Sequence, residues 1–193
     1  MVNAIFISVR TGSTRLPNKS TLKIKNKHTI EYVIDSVKKS KYADEIVLCT
    51  TKNAEDVVLC TIAEVNGIKF YCGDEHDKLK RWYSAAKKFD VGFFVTVDGD
   101  DLFYDSKLSD ICFEQAESGD AINGQGLYND TYGYKTSTIK TILDLAKNKV
   151  IEPHEVIEYL KDTELKVSEL VNVPEILKKK NIRMTLDYQE DFD

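Results

Sequence analysis

Residues 4–19, with the sequence AIFISVRTGSTRLPNK, join an apolar run to a short polar loop. The apolar run favours a short buried strand, and Gly12 and Pro17 mark the loop that follows. This loop, residues 10–19, concentrates two arginines, one lysine, one glycine and three hydroxyl side chains. Glycine lets a backbone approach a ligand closely, successive loop N–H groups can form an anion-binding concavity, and arginines grip phosphate oxygens with paired hydrogen bonds. The stretch therefore predicts a phosphate-binding loop; the alternative is a set of solvated surface charges.

The alternation of apolar runs and helical periodicity continues through the first hundred residues. Apolar runs predict further strands at 45–50, 68–72 and 91–97. Apolar residues at helical spacing predict helices at 28–40, 53–66 and 79–86. In the second of these helices, Val58, Ile62 and Val65 are expected to face inward. Strands that alternate with helices predict an α/β fold with a mostly parallel central sheet and helices on both faces.

The second half of the chain is less regular. Helices are expected at 106–118, from a cap at Ser137, and from the segment that contains Pro153. Residues 120–135 are rich in Gly, Asn, Asp and Tyr and predict a long loop with one short strand. Residues 181–186 predict a last strand, followed by the start of a helix that is either very short or cut off. With no linker or repeat in sight, we expect residues 1–193 to form a single domain.

The composition limits the classes of partner. The 193 residues carry a net charge of -5, so the totals favour neither nucleic acid nor an anionic membrane surface. Attraction of a polyanion would have to come from the local basic cluster in residues 10–27. No apolar run approaches the ~18 residues of a membrane span. The four cysteines lack CxxC spacing and are interpreted as reduced thiols of a cytoplasmic protein, with a zinc site disfavoured.

Three carboxylates follow the apolar strand at 91–97: Asp98, Asp100 and Asp101. Their mutual repulsion would be relieved by a divalent cation, and Mg²⁺ takes oxygen ligands beside substrate phosphates. The alternative is a solvated Asp-Gly turn. Asp187 follows the predicted last strand; it is either a helix cap or a second metal ligand from a distant strand. Because ligands of parallel sheets bind at the carboxyl ends of the strands, we expect these acids near the phosphate-binding loop.

Two common nucleotide motifs are missing from the sequence. The loop does not match GxxxxGK[ST], so a P-loop is excluded, and it does not match GxGxxG, so dinucleotide binding is disfavoured. The loop nevertheless opens a series of four short motifs: Arg10-x-Gly12-Ser13-x-Arg15-Leu16-Pro17-x-Lys19, then Gly73-x-x-x-Asp77-x-Leu79-x-Arg81-x-Tyr83, then Gly99-Asp100, and finally Arg183-x-Thr185-Leu186-Asp187-Tyr188-x-Glu190-Asp191.

In sequence and order, these motifs resemble those of the cytidylyltransferases that activate sugar acids, the acylneuraminate and 3-deoxy-manno-octulosonate enzymes. They are most similar to the spore-coat-polysaccharide type. The resemblance implies a GT-A-like, Rossmann-like nucleotidyltransferase that transfers CMP from CTP to a small acidic acceptor with Mg²⁺. It also implies a homodimer formed through residues 123–160.

The resemblance further implies roles for individual residues. The nucleotide would be bound by Arg10, Gly12, Ser13, Arg15, Lys19, Thr50 and Asp98. Arg15, Lys19 and Asp100 would be catalytic, and the metal would lie on Asp100 and Asp187. The acceptor would contact Asp77, Arg81 and Gly133.

Departures from the family pattern leave alternatives open. Asp101-Leu102 replaces the usual Cys or Glu followed by Pro, and Tyr188-Gln189 replaces Thr-Pro. Residues 132–135 carry no acidic residue where relatives often have one, so the acceptor class stays open between a sugar acid, an amino acid, a phosphonate and a sugar phosphate. Two other functions remain open: a glycosyltransferase that uses a nucleotide sugar, and a non-catalytic nucleotide-binding module.

Overall fold

A seven-stranded sheet forms the centre of the computed structural model, which describes residues 1–147, 149–178 and 184–193. Within these residues the strand order is β5-β4-β1-β6-β8-β7-β9, and two short strands pair apart from this sheet. The strands are β1 (Val2–Ser8), β2 (Lys23–Ile24), β3 (Lys27–His28), β4 (Glu45–Thr51), β5 (Lys69–Gly73), β6 (Val91–Asp98), β7 (Ala121–Gly124), β8 (Thr131–Lys135) and β9 (Val167–Glu169).

The first four strands of the central sheet, in the order β5-β4-β1-β6, are all parallel. This confirms the predicted α/β class and the mostly parallel sheet. Strand β1 lies between β4 and β6, with Ser8 in register with Cys49 on one side and Asp98 on the other. The phosphate-binding loop therefore leaves the middle of the sheet at its carboxyl edge, beside the predicted acidic turn.

The helices cover both faces of the sheet. They are α1 (Thr29–Val37), α2 (Val57–Val65), α3 (Lys78–Lys88), α4 (Ser106–Glu114), α5 (Thr136–Ala146), α6 (Val156–Leu160) and α7 (Gln189–Phe192). Buried side chains of α1, α2 and α4 join one hydrophobic core, and those of α3, α5 and α6 join the core on the opposite face. In the described residues no helix has the length and apolar character that a membrane span requires. All four cysteines are free thiols.

Residues 120–135 were predicted to form a long loop with one short strand, but they contain two strands, and only residues 125–130 between them form a loop. This segment forms β7 and β8, which pair antiparallel with each other, while β8 pairs antiparallel with β6. The segment has the composition of a loop, but its glycines serve packing. A Cβ on Gly133 would lie 2.5 Å from both the Cys112 sulfur and the Phe93 ring, so only glycine lets β8 pack this closely.

Two smaller expectations also differ from the structure. Val58 and Val65 of α2 are 41% and 81% exposed, whereas Leu59 and Ala63 face the core with Ile62. Five of the first six residues of α2 are apolar, so helical spacing alone does not fix which face is buried, and the structure buries Leu59, Ile62 and Ala63. The last predicted strand lies partly outside the described residues, and residues 184–186 are not a strand. The helix start after Asp187 is found as α7.

Candidate active site

A cleft of about 1120 Å³ opens at the carboxyl edge of the sheet. That volume is enough for a nucleotide and a second small molecule. The cleft brings together most of the residues that the sequence singled out: Arg10, Gly12, Ser13, Arg15, Lys19, Arg81, Asp98, Asp100 and Asp187. Their contacts with ligands stay predictions.

A buried carboxylate that the sequence reading missed holds the phosphate-binding loop. Asp56, just before α2, accepts hydrogen bonds of 2.7 Å from both the backbone N–H and the hydroxyl of Thr11, and a third from the Thr51 hydroxyl. Burial raises the pKa of Asp56, but these hydrogen bonds outweigh it and hold the pKa below its usual value. The start of the loop is thus fastened to the end of β4 and to α2.

We expect Asp56→Asn to lower the free energy of unfolding by about 1–3 kcal/mol at neutral pH, because an amide cannot accept all three hydrogen bonds. A carboxylate whose pKa is lower in the folded state stabilises the fold above its unfolded pKa of about 3.9 and loses that effect as the pH falls through its folded pKa. The difference between the variant and the wild type should therefore shrink on acidification below about pH 4.

Urea denaturation at neutral and acidic pH measures both effects. Asp44→Asn is the matched control, since Asp44 also accepts a backbone hydrogen bond, from Asn3, but lies exposed and far from the loop. Asp44→Asn should lower the free energy of unfolding by less than Asp56→Asn does. Equal denaturation midpoints of Asp56→Asn and wild type at neutral pH would contradict the anchoring role.

The acidic turn after β6 lies directly against the end of β1. The N–H of Gly99 donates to the carbonyl of Ser8 over 2.9 Å. A Cβ at Gly99 would lie 2.6 Å from the Cβ of Val9, so the two loops can approach this closely only with glycine at this position. Gly12 differs, since a Cβ there would have no protein atom within 4 Å and would point into open space.

One ammonium group joins the two predicted metal ligands. The Nζ of Lys19 lies 2.5 Å from Oδ2 of Asp100 and 3.0 Å from Oδ1 of Asp187. Burial lowers the pKa of Lys19, but the two carboxylates raise it by more than burial lowers it. The pKa is therefore above its usual value, and the ammonium group stays charged. Burial also raises the pKa of Asp187, and the Lys19 hydrogen bond reverses this and lowers it. Asp187 reaches the site because the Leu186 N–H donates to the Asp100 carbonyl over 3.0 Å.

The positions of the Asp100 and Asp187 carboxylates are compatible with a divalent cation bound between them. One oxygen of Asp100 and one of Asp187 already face a single cationic position, now taken by Lys19, and carboxylate oxygens are the ligands that Mg²⁺ prefers. Among the described residues, no group of three or more His, Cys, Asp or Glu side chains is arranged to hold a metal. A cation held by this pair would therefore complete its shell with phosphate oxygens and water.

The other cations of the cleft are distributed along its length. Arg15 pairs with Asp187 over 2.7 Å and lies over the ring of Tyr188. Arg81 is buried and donates to the carbonyl of Asp74 over 2.6 Å. Lys78 pairs over 2.6 Å with the exposed carboxylate of Asp98. The cleft therefore contains an exposed guanidinium group at Arg15 and a buried one at Arg81.

The third acid of the turn, Asp101, has a different environment from Asp100. It is only 7% exposed, and burial followed by the charges of Asp98 and Asp100 raises its pKa to about 8. The Asn129 carboxamide lies beside Asp101 and acts in the opposite direction. Asn129 lies in the loop between β7 and β8, and none of the sequence motifs includes it.

Aromatic side chains form one wall of the cleft. Trp82 of α3 donates its indole N–H to the hydroxyl of Ser8 over 2.8 Å and stacks with Tyr134 of β8. Tyr132 stacks on Tyr134 in turn. All four side chains line the cleft. The sequence motifs did not indicate this wall because it depends on β8 pairing with β6.

Three predicted site residues are not among the described residues that line the cleft: Thr50, Asp77 and Gly133. Thr50 is fully buried on β4. Asp77 caps α3 by accepting the Lys80 N–H over 2.8 Å. Gly133 faces the core against Cys112 and Phe93. These three residues lie outside the described lining of the cleft, and their contacts with ligands stay predictions.

The chain belongs to the cytidylyltransferase family, whose family model matches residues 4–193. Family membership makes it a CTP-dependent nucleotidyltransferase. Among curated proteins it is similar to MJ1063 of Methanocaldococcus jannaschii, with 29% identity over 96% of this chain and 78% of that protein. It is also similar to the spore coat polysaccharide biosynthesis protein SpsF of Bacillus subtilis, with 21% identity over 97% of this chain and 82% of SpsF.

Solved structures share the fold. A cytidylyltransferase from Leptospira borgpetersenii matches with a TM-score of 0.84 and 24% identity, over 100% of this chain and 84% of the other. A CMP:2-keto-3-deoxy-manno-octonic acid synthetase in complex with CTP matches with a TM-score of 0.67 and 13% identity, over 88% of this chain and 89% of the other. The predicted resemblance to cytidylyltransferases that activate sugar acids is thereby confirmed at the level of family and fold.

Proposed function

We propose that this protein transfers CMP from CTP to an oxygen of a small acceptor and releases pyrophosphate, with Mg²⁺ bound at Asp100 and Asp187. The observation that carries the proposal is the single cationic position shared by these two carboxylates at the foot of the loop of residues 10–19. An anion-binding loop and a carboxylate pair in one cleft are what a metal-bound triphosphate requires.

The chemistry follows from that placement. An acceptor oxygen attacks the α-phosphorus of CTP, a P–O bond forms, and the bond from the α-phosphorus to the oxygen that bridges to the β-phosphorus breaks. Pyrophosphate leaves, and the proton of the acceptor hydroxyl passes to water. Arg10, Arg15 and Lys19 hold phosphate oxygens and neutralise charge that develops on them. When bound, the divalent cation polarises phosphate oxygens and supplies further positive charge.

The acceptor and the pathway rest on the family resemblance. SpsF is named for the biosynthesis of spore coat polysaccharide, and the octonic acid synthetase is named for the activation of a sugar acid. We infer from these names an acidic acceptor, such as a sugar acid, destined for a surface polysaccharide. The four free thiols support a cytoplasmic location. The homodimer remains a prediction.

The experiment that tests the function is a pyrophosphate-release screen. The four nucleoside triphosphates are each incubated with the protein, Mg²⁺ and a panel of acidic acceptors, and EDTA replaces Mg²⁺ in the control. Of the four nucleoside triphosphates, we expect only CTP to release pyrophosphate. We expect no release when EDTA replaces Mg²⁺. Preference for another triphosphate would contradict cytidylyl transfer. CTP binding without release from any acceptor would favour the non-catalytic nucleotide-binding module.

A further inference from the structure

The side chain of Asn129 is buried in the wall of the cleft and unpartnered. Asn129 is 3% exposed, and within the described part of the chain neither its amide nitrogen nor its carbonyl oxygen has a hydrogen-bond partner. A buried polar group without a partner costs about 1–3 kcal/mol, so its presence needs an explanation. Asn129 lines the same cleft as Asp100, so a molecule bound in the cleft would explain the unpartnered side chain directly.

The backbone around Asn129 is held from several sides. The backbone carbonyl of Asn129 accepts a hydrogen bond of 3.1 Å from the Thr131 hydroxyl. The preceding Tyr128 N–H donates to the carbonyl of Leu177 over 2.9 Å, and the side chain of Asp130 accepts the Gly126 N–H over 2.6 Å. These contacts fix the position from which the Asn129 carboxamide projects. The unpartnered group is therefore a built feature of the cleft wall.

Asp101 completes a pair of polar groups at this point. It is also more than nine-tenths buried, it lines the cleft, and it directly follows Asp100. The Asn129 carboxamide lies close enough to Asp101 to lower the pKa of its carboxyl group. Neither polar atom of that carboxamide makes a hydrogen bond within 3.5 Å in the described residues, so both can still bind another group. A carboxamide can both donate and accept, and a carboxyl group accepts at two oxygens. Together they match a hydroxyl group, which donates and accepts as well.

We propose that Asn129 and Asp101 form a subsite for a hydroxyl group of the acceptor, next to the oxygen that attacks CTP. The inference rests on the proposed function and narrows it to acceptors that are polyhydroxylated, such as sugars and polyols.

The test compares Asn129→Leu with wild type. Leucine fills a similar volume and removes both polar atoms. CTP binding with Mg²⁺ is measured by calorimetry, and acceptor binding to the CTP complex is measured with N-acetylneuraminate, 3-deoxy-manno-octulosonate, ribitol, glucosamine and succinate. Pyrophosphate release gives the Michaelis constant for each compound that reacts. The matched control is Asn123→Leu, because the Asn123 side chain bonds to Glu169 outside the cleft.

We expect at least one hydroxylated probe to bind the CTP complex of the wild type and succinate not to bind. In Asn129→Leu the dissociation or Michaelis constant of that probe should rise about tenfold, as loss of one hydrogen bond predicts. The constant for CTP should stay within about twofold. Melting should be unchanged or shifted upward, since an unpartnered buried amide is removed. A merely structural asparagine would instead lower the melting temperature and leave the acceptor constant alone.

The failures are distinguishable. If CTP does not bind to the wild type, the proposed function fails. If CTP binds but no hydroxylated probe does, or if such a probe binds Asn129→Leu as tightly as wild type, the subsite is wrong while cytidylyl transfer can still be correct. Equal weakening in Asn123→Leu would also overturn the subsite, because that variant leaves the cleft intact.

Discussion

Asp100→Asn is expected to reduce pyrophosphate release from CTP by about 10²–10³-fold, the usual effect of losing one group that stabilises transition-state charge. The asparagine keeps the shape of the side chain but removes the negative charge that holds a divalent cation. It also leaves the Lys19 ammonium with Asp187 alone. Because the loop of residues 10–19 is unchanged, binding of CTP without metal should be retained.

Single-turnover rates over a Mg²⁺ titration measure this effect, and Mg²⁺ binding by calorimetry separates lost affinity from lost turnover. Asp144→Asn is the matched control, since Asp144 also pairs with a lysine, Lys140, but on an exposed helix surface. An exposed pair of this kind contributes little. Near-normal turnover of Asp100→Asn would show that the metal site is misassigned.

Lys19→Met is expected to act in opposite directions on catalysis and on metal binding. Turnover should fall about 10²–10³-fold, because the variant loses a charge that stabilises the reacting phosphate. The affinity of the nucleotide-free protein for Mg²⁺ should rise, since the ammonium that contacts both carboxylates no longer competes for them. Without metal, the variant should be less stable by about 1–3 kcal/mol, because Asp100 and Asp187 lose the ammonium group that they share.

Calorimetric titration of Mg²⁺ into the nucleotide-free proteins, thermal melting with EDTA and with Mg²⁺, and pyrophosphate release test the three parts. Lys140→Met removes an exposed lysine from a pair with Asp144 and should change none of them. Unchanged Mg²⁺ affinity in Lys19→Met would mean that the metal does not bind between Asp100 and Asp187. Unchanged turnover would remove Lys19 from the catalytic residues.

The parallel half of the fold could be predicted because its signals are local. Strand β6 is almost continuously apolar, and Trp82 and Leu79 recur at helical spacing in α3, so each element is readable alone. The antiparallel half could not be predicted this way. Strand β8 contains Gly133 and two tyrosines, and it becomes a strand because β6 offers it a partner and Cys112 and Phe93 require a residue without a side chain.

The residues of the candidate site also differ in whether a local sequence signal could predict them. Residues in loops that directly follow a strand, such as Arg15 and Asp100, could be placed because parallel strands bring their ends to one edge. Asp56 and Asn129 could not, since their importance comes from burial beside partners distant in sequence. The resemblance implies that Asp77 contacts the acceptor, and this stays a prediction; the structure shows that Asp77 caps α3.

The backbone hydrogen bond from Leu186 to Asp100 makes the site depend on a segment that is distant in sequence. It joins two positions more than eighty residues apart, so closing this contact costs chain entropy. The loop of residues 10–19 is held instead by the hydrogen bonds of Asp56, which join it to the end of β4. Local opening of residues 184–193 would therefore remove the proposed metal site and leave that loop in place.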